Sequence, residues 1–135
     1  MIDTETAPFK SSLITVDPKW IDHNGHLNQS YYSLIFDIGL MEIFSAVGLG
    51  PPYVKARNAS TMTVESHLCF IREVFAVDDV RVSVQFLGHH PTGLFGTHSA
   101  LHIHQQHRND QSKHHKVGHA GVEKAEMRFV FLKES

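Results

Sequence analysis

The run from Gln29 to Val47 constrains the fold of this chain more than any other segment. Its apolar residues recur at helical spacing on two stripes. Tyr31, Leu34, Ile35, Ile38 and Met41 form one; Tyr32, Phe36, Leu40, Ile43, Phe44 and Val47 form the other. Ser30, Ser33 and Asp37 share a narrow polar stripe at spacings of three and four. A helix that is apolar around most of its circumference has to be covered on most sides. At ~1.5 Å per residue, about 18 residues give a rod of roughly 27 Å. Asn28 stands at its N-cap position, and Gly48-Leu49-Gly50-Pro51-Pro52 stops it.

Beyond the helix the period changes to two. Met62, Val64, Leu68 and Phe70 alternate with Thr61, Thr63, Glu65 and His67. Val80, Val82, Val84 and Phe86 alternate with Arg81, Ser83 and Gln85. The pattern repeats over Phe95–Ile103 and over Met127–Phe131. Polar connections at Asp78-Asp79, His89 to Gly93 and Gln106 to Lys116 separate the four runs, which read as an antiparallel meander. Before the helix, residues 1–11 read as a loose leader. Ser12 to Val16 is a short β-prone run closed by Asp17-Pro18. One strand, a long helix and four strands make an α+β order in one domain spanning residues 1–135. A single sheet covers only part of such a helix, so pairing with a second copy is expected.

With 135 residues, a core sufficient for folding without metal or disulfide is available. The single cysteine, Cys69, has no internal partner, which is compatible with a cytoplasmic location. The formal charge of −2 and the absence of a basic stripe argue against nucleic acid as a partner. No apolar run is long enough to span a bilayer, and the start lacks a signal peptide's pattern, so no membrane partner is expected.

The chemistry concentrates just before the helix. Asp22, Asn24-Gly25, His26 and Asn28 form a polar turn ahead of a helix N-terminus. The free N–H groups and positive dipole end there can polarise a carbonyl, and a carboxylate beside them can attack it or activate water. A plain structural reading is also open: Asp22 as a turn residue and Asn28 as a cap.

The stretch Val16 to Tyr32 resembles the first motif of the 4-hydroxybenzoyl-CoA thioesterase family, a hotdog family. Its pattern is a strand, then Asp-x-x-Gly-His-x-Asn, then a tyrosine-containing helix start, matched here by Asp22, Gly25, His26, Asn28 and Tyr32. Within that family, Trp20-Ile21-Asp22-x-Asn24-Gly25-His26 is similar to the thioesterases of carnitine and betaine breakdown. The resemblance implies a hotdog fold, with a long central helix wrapped by a curved antiparallel sheet of about five strands. It also implies hydrolysis of an acyl-CoA thioester without cofactor or metal, in a homodimer or homotetramer.

On that resemblance Asp22 is the nucleophile or general base. Gly25 brings backbone N–H groups toward the thioester oxygen, and His26 and Asn28 hold the loop, His26 alternatively moving a proton. Glu65 is expected beside the cleft, to position water or hold His26, and is equally readable as a solvent-facing strand carboxylate. Asp37 is the reserve carboxylate. Trp20, Tyr32 and Phe36 are candidate wall residues for an acyl group, with core packing the favoured role for Phe36, and aromatic walls also suit a quaternary ammonium. Arg57, with Lys55, Arg81 and Arg108, is available for the CoA phosphates.

The chain has 12 histidines. His98, His102 and His104 share one strand face, and two-apart imidazoles can hold a metal, yet no ligand set completes the spacing, so a solvent-facing strand is expected. The rival readings are a hotdog hydratase or dehydratase, whose Gly-His-Phe-Pro style motif is absent, and a non-catalytic acyl-CoA-binding module.

Overall fold

In the computed structural model, residues 8–89, 94–103 and 123–134 are described. The long helix forms as expected. Here called α1, it spans Gln29–Ala46 and ends at Val47, whose N–H donates to the Ile43 carbonyl at 3.0 Å. A shorter helix that the periodicity did not reveal, α2 (Pro51–Arg57), follows Gly50 directly. The two prolines that end α1 occupy the start of α2, where a missing N–H costs nothing.

Six strands make one antiparallel sheet: β1 (Phe9–Lys10), β2 (Ile14–Thr15), β3 (Ser60–Phe70), β4 (Asp79–His89), β5 (Leu94–Ile103) and β6 (Glu123–Glu134). Their order is β1-β4-β5-β6-β3, with β2 also on β4. The α+β arrangement stands, and two details differ from the sequence reading. Residues 9–10 are not a loose leader; they pair with Val84 and Ser83. The four long strands are not a simple meander, because β3 lies at the far edge beside β6 and not beside β4. Only β4, β5 and β6 run consecutively. The sequence shows no such placement, since alternation marks a strand's faces but not its neighbour.

The helix-facing side of the sheet carries Val80, Val82, Val84, Leu101, Ala125 and Met127, all buried. Against them α1 turns Tyr32, Ile35, Phe36, Gly39, Leu40, Ile43 and Phe44. The tightest point is Gly39 over β4. A Cβ built on Gly39 would lie 2.5 Å from the Val82 Cβ, so only glycine permits this approach. At the C-terminal end the Phe44 ring stacks on Phe86 at 6.0 Å. Glu42 ties the first strands to the helix by accepting the Ser12 N–H at 3.0 Å.

Register also corrects the face assignment of β3. Leu68 pairs with Met127 and Phe70 with Ala125, which places both on the helix side. A bulge between Thr63 and Glu65 then shifts the phase. Thr63 pairs with Phe131, in step with Met127, so the helix-facing set is Thr63, Ser66, Leu68 and Phe70. Met62 does not continue the stripe of Leu68. Glu65, opposite Val130, falls on the other side.

Replacing Gly39 by alanine forces α1 off β4. The expected loss is about 1–3 kcal/mol of unfolding free energy, read from the urea midpoint of G39A against wild type. An unchanged midpoint would show that the helix seat tolerates a methyl group.

Candidate active site

The loop before α1 is built by local hydrogen bonds. Asp22 to Gly25 make a turn in which the Gly25 N–H donates to the Asp22 carbonyl at 3.0 Å. Gly25 has φ +84°, a conformation that suits glycine. The Asp22 N–H donates to the His26 carbonyl at 3.1 Å, and Ile21 bridges Leu27. The Asp22 carboxylate is held at one oxygen, Oδ1, which accepts the Asn24 N–H at 2.8 Å. Its Oδ2 has no hydrogen-bond partner among the described residues, and the side chain is half-buried.

Two further bonds fix this loop to the fold. The Leu27 N–H donates to the Val74 carbonyl at 2.7 Å, and the Asn28 N–H to the Trp20 carbonyl at 2.9 Å. Asn28 caps α1, its Oδ1 accepting the Ser30 N–H at 3.0 Å. The first helical N–H, that of Gln29, makes no hydrogen bond among the described residues. It is the kind of donor a developing oxyanion needs.

A cleft of about 500 Å³ opens here, lined by Asp22, Asn24, His26, Leu27, Asn28, Gln29, Tyr32, Phe70, Arg72 and Glu73. Among the residues singled out in the sequence, Asp22, His26, Asn28 and Tyr32 therefore meet in one place. Gly25 does not line the cleft; its N–H closes the turn and is not free for a ligand. Trp20 stacks on Tyr31 at 5.8 Å and supports the loop from behind. Phe36 is fully buried in the core.

Arg57 sits exposed in the last turn of α2, away from the cleft-lining set. Glu65 is exposed on the opposite face of the sheet, in phase with His67, and is not among the residues that line the cleft of its own chain. Asp37 is exposed on the outer side of α1. Arg108 lies outside the described residues, as do His104, His114, His115 and His119. His98 and His102 are half-buried and individually engaged. His98 Nε2 lies 3.0 Å from Glu126 Oε2, and His102 Nε2 lies 3.2 Å from the Ser83 hydroxyl.

Sequence reading missed Phe70, Arg72 and Glu73. They lie where β3 runs out into an aperiodic segment, and only the Leu27–Val74 bond brings that segment against the loop. Tyr32 sits between the two. Its ring meets Phe70 edge-on, with centroids 5.0 Å apart and planes at 86°, and its hydroxyl donates to the Arg72 carbonyl at 3.4 Å. Burial holds its phenol above the ordinary value of 10.0; the Glu73 carboxylate adds to this, and the Val74 backbone opposes it. Folding therefore favours the neutral phenol. That contribution to stability is complete below pH 10.0 and is lost as pH rises through the folded value. In a near-ultraviolet titration of the folded protein, Tyr32 should ionise above the ordinary value of 10.0, and Y32F should remove that step. A titration curve above 10.0 that Y32F leaves unchanged would contradict this.

A family profile described as the thioesterase-like superfamily matches residues 16–133. The betainyl-CoA thioesterase of Pseudomonas aeruginosa is 36% identical over 86 residues, 64% of this chain and 54% of that protein. The L-carnitine dehydrogenase/betainyl-CoA thioesterase of Ruegeria pomeroyi is 29% identical over 89 residues, 63% of this chain and 18% of that one. The matched stretch thus spans about half the length of the first relative and less of the second. Among solved structures, a hypothetical protein of Staphylococcus aureus in complex with CoA superposes with TM-score 0.72 at 17% identity, over 91% of this chain and 68% of that one. The 1,4-dihydroxy-2-naphthoyl-CoA thioesterase of Synechocystis gives 0.69 at 10% identity, over 92% and 81%. At these identities the two structures establish the hotdog fold.

Proposed function

The chain belongs to the thioesterase-like superfamily, and from that premise we propose that it hydrolyses an acyl-CoA thioester to the free acid and CoA, with Asp22 as its catalytic carboxylate. The observation that carries this reading is the pairing of a half-held carboxylate with an unbonded helix N–H in one cleft. Asp22 presents Oδ2 while Asn24 fixes Oδ1, and the Gln29 N–H at the start of α1 is available to the carbonyl oxygen. Two routes use this geometry. In one, Oδ2 attacks the carbonyl carbon, the CoA thiolate leaves, and water cleaves the resulting anhydride. In the other, Asp22 takes a proton from the water that attacks. The helix terminus stabilises the tetrahedral oxyanion in both. In this reading His26, on the cleft lining, passes a proton to the leaving thiolate, and Asn28 caps the helix end. We assign the CoA phosphates to Arg72, which lines the cleft, and not to Arg57, which does not. The names of the two betainyl-CoA thioesterase relatives make betainyl-CoA the first acyl group to assay.

D22N should lower kcat by about 10²- to 10⁴-fold in a thiol-release assay, with its circular dichroism unchanged. Equal hydrolysis by D22N and wild type would overturn the assignment of Asp22. If wild type binds acyl-CoA without releasing thiol over a broad acyl panel, the chain is a binding module instead.

We further propose that the working unit is a dimer in the cytoplasm, where acyl-CoA esters are made and consumed. No single described helix is long and apolar enough to cross a membrane. On α1, Leu34, Ile38 and Met41 are 40%, 39% and 43% exposed, forming an apolar stripe at helical spacing. At the edge of the sheet lies the 11-residue β3, and an edge of that length is a ready template for pairing. A second copy, related by a two-fold axis, covers both features with the same features of its own. The I38E variant should sediment as a monomer of 15.2 kDa, and wild type as twice that mass. A monomeric wild type would refute the dimer.

A further inference from the structure

We propose that Glu73, together with the Tyr32 and Phe70 rings, forms a subsite for an acyl group that carries a fixed positive charge close to the thioester. This rests on the thioesterase reading of the cleft and names the chemical class of its substrate.

Three observations within the cleft support it. First, Glu73 is a carboxylate on the cleft lining that makes no ion pair among the described residues. It is exposed, so its charge is open to a cationic ligand entering the cleft. Second, two aromatic rings stand beside it at nearly a right angle, and they differ in exposure. Tyr32 is 4% exposed, whereas Phe70, its edge-on neighbour, is 51% exposed. A large apolar ring left half open in a polar cleft offers a surface to a ligand. An ammonium that has no N–H to donate is recognised by such a surface and by charge, not by hydrogen bonds. Third, Glu73 and Tyr32 interact electrostatically, since the carboxylate helps hold the phenol neutral. The charge and the rings therefore occupy one corner of the cleft.

That corner is at a fixed place relative to Asp22. The Leu27 N–H to Val74 carbonyl bond, at 2.7 Å, fastens the Asp22 loop to the segment that carries Glu73. An acyl group with its cationic nitrogen near the carbonyl carbon brings both into the one cleft that Asp22 and Glu73 line. Arg72 also lines the cleft and is exposed. Its charge suits the phosphates of CoA and leaves Glu73 as the counterion for the acyl end.

The test separates charge from shape. Betainyl-CoA and 3,3-dimethylbutyryl-CoA have the same outline, one with a trimethylammonium and the other with a neutral tert-butyl group. Wild type should prefer the charged thioester by about tenfold in kcat/KM. E73Q should bring that ratio close to one, and E73D should retain most of it. A wild-type ratio of one or less would overturn the subsite while leaving the thioesterase reading intact. So would an undiminished ratio in folded E73Q. Should E73Q fail to fold, the wild-type ratio measured at rising salt decides, because screening weakens an exposed counterion; a salt-independent preference would overturn the role of Glu73. Failure of wild type to cleave either thioester, with other acyl-CoAs uncleaved as well, would overturn the hydrolase reading and this inference with it.

Discussion

The seat of α1 on β4 is the contact from which the rest of the structure follows. Gly39 lets the helix axis come down onto Val82 with no side chain between them. On either side Ile35, Phe36, Ile43 and Phe44 then bury against the valines of β4 and the middle of β5. Full burial of each large side chain contributes on the order of 1.5–3 kcal/mol. Raising the helix would open a gap along its whole length, so the position of its N-terminus is set by packing some three turns away. A helix end can serve as an oxyanion donor only when it is held in place.

From that fixed end the cleft is assembled by a few directional bonds. Asn28 caps the helix, and Trp20 and Val74 accept N–H groups from either side of the loop. The loop in turn aims Asp22 by holding one carboxylate oxygen. No single element owns the site. The carboxylate comes from the loop, the N–H from the helix, and Phe70, Arg72 and Glu73 from the end of β3. Such a site permits one wall to vary while the reactive loop is retained, which is how one fold accommodates many acyl groups.

The sheet is wider than the helix that covers it. α1 lies over β4, while the β3 edge keeps Thr63 and Ser66 exposed on the helix-facing side. The apolar stripe of Leu34, Ile38 and Met41 has the complementary deficit. Both are features that the proposed second copy would cover. The bulge in β3 matters here, because it brings Thr63 onto the same side as Ser66 and Leu68.

Period and punctuation determined much of this protein without reference to its fold. The helix from Gln29, its asparagine cap, the four alternating runs and the turn at Asn24-Gly25 are local properties, set by side-chain spacing and backbone sterics. The motif around Asp22 was legible for the same reason: its residues are contiguous and form their turn among themselves. What tertiary structure decided is everything that depends on neighbours distant in the chain. The place of β3 beside β6, the phase shift at its bulge, the pairing of residues 9–10 and the arrival of Phe70, Arg72 and Glu73 at the cleft all rest on long-range hydrogen bonds. Alternation tells a strand which face to bury but not which strand to join, and aperiodic segments acquire their position only from what they pack against. Asp22 could be found by its sequence neighbours; Glu73 could be found only by its spatial ones.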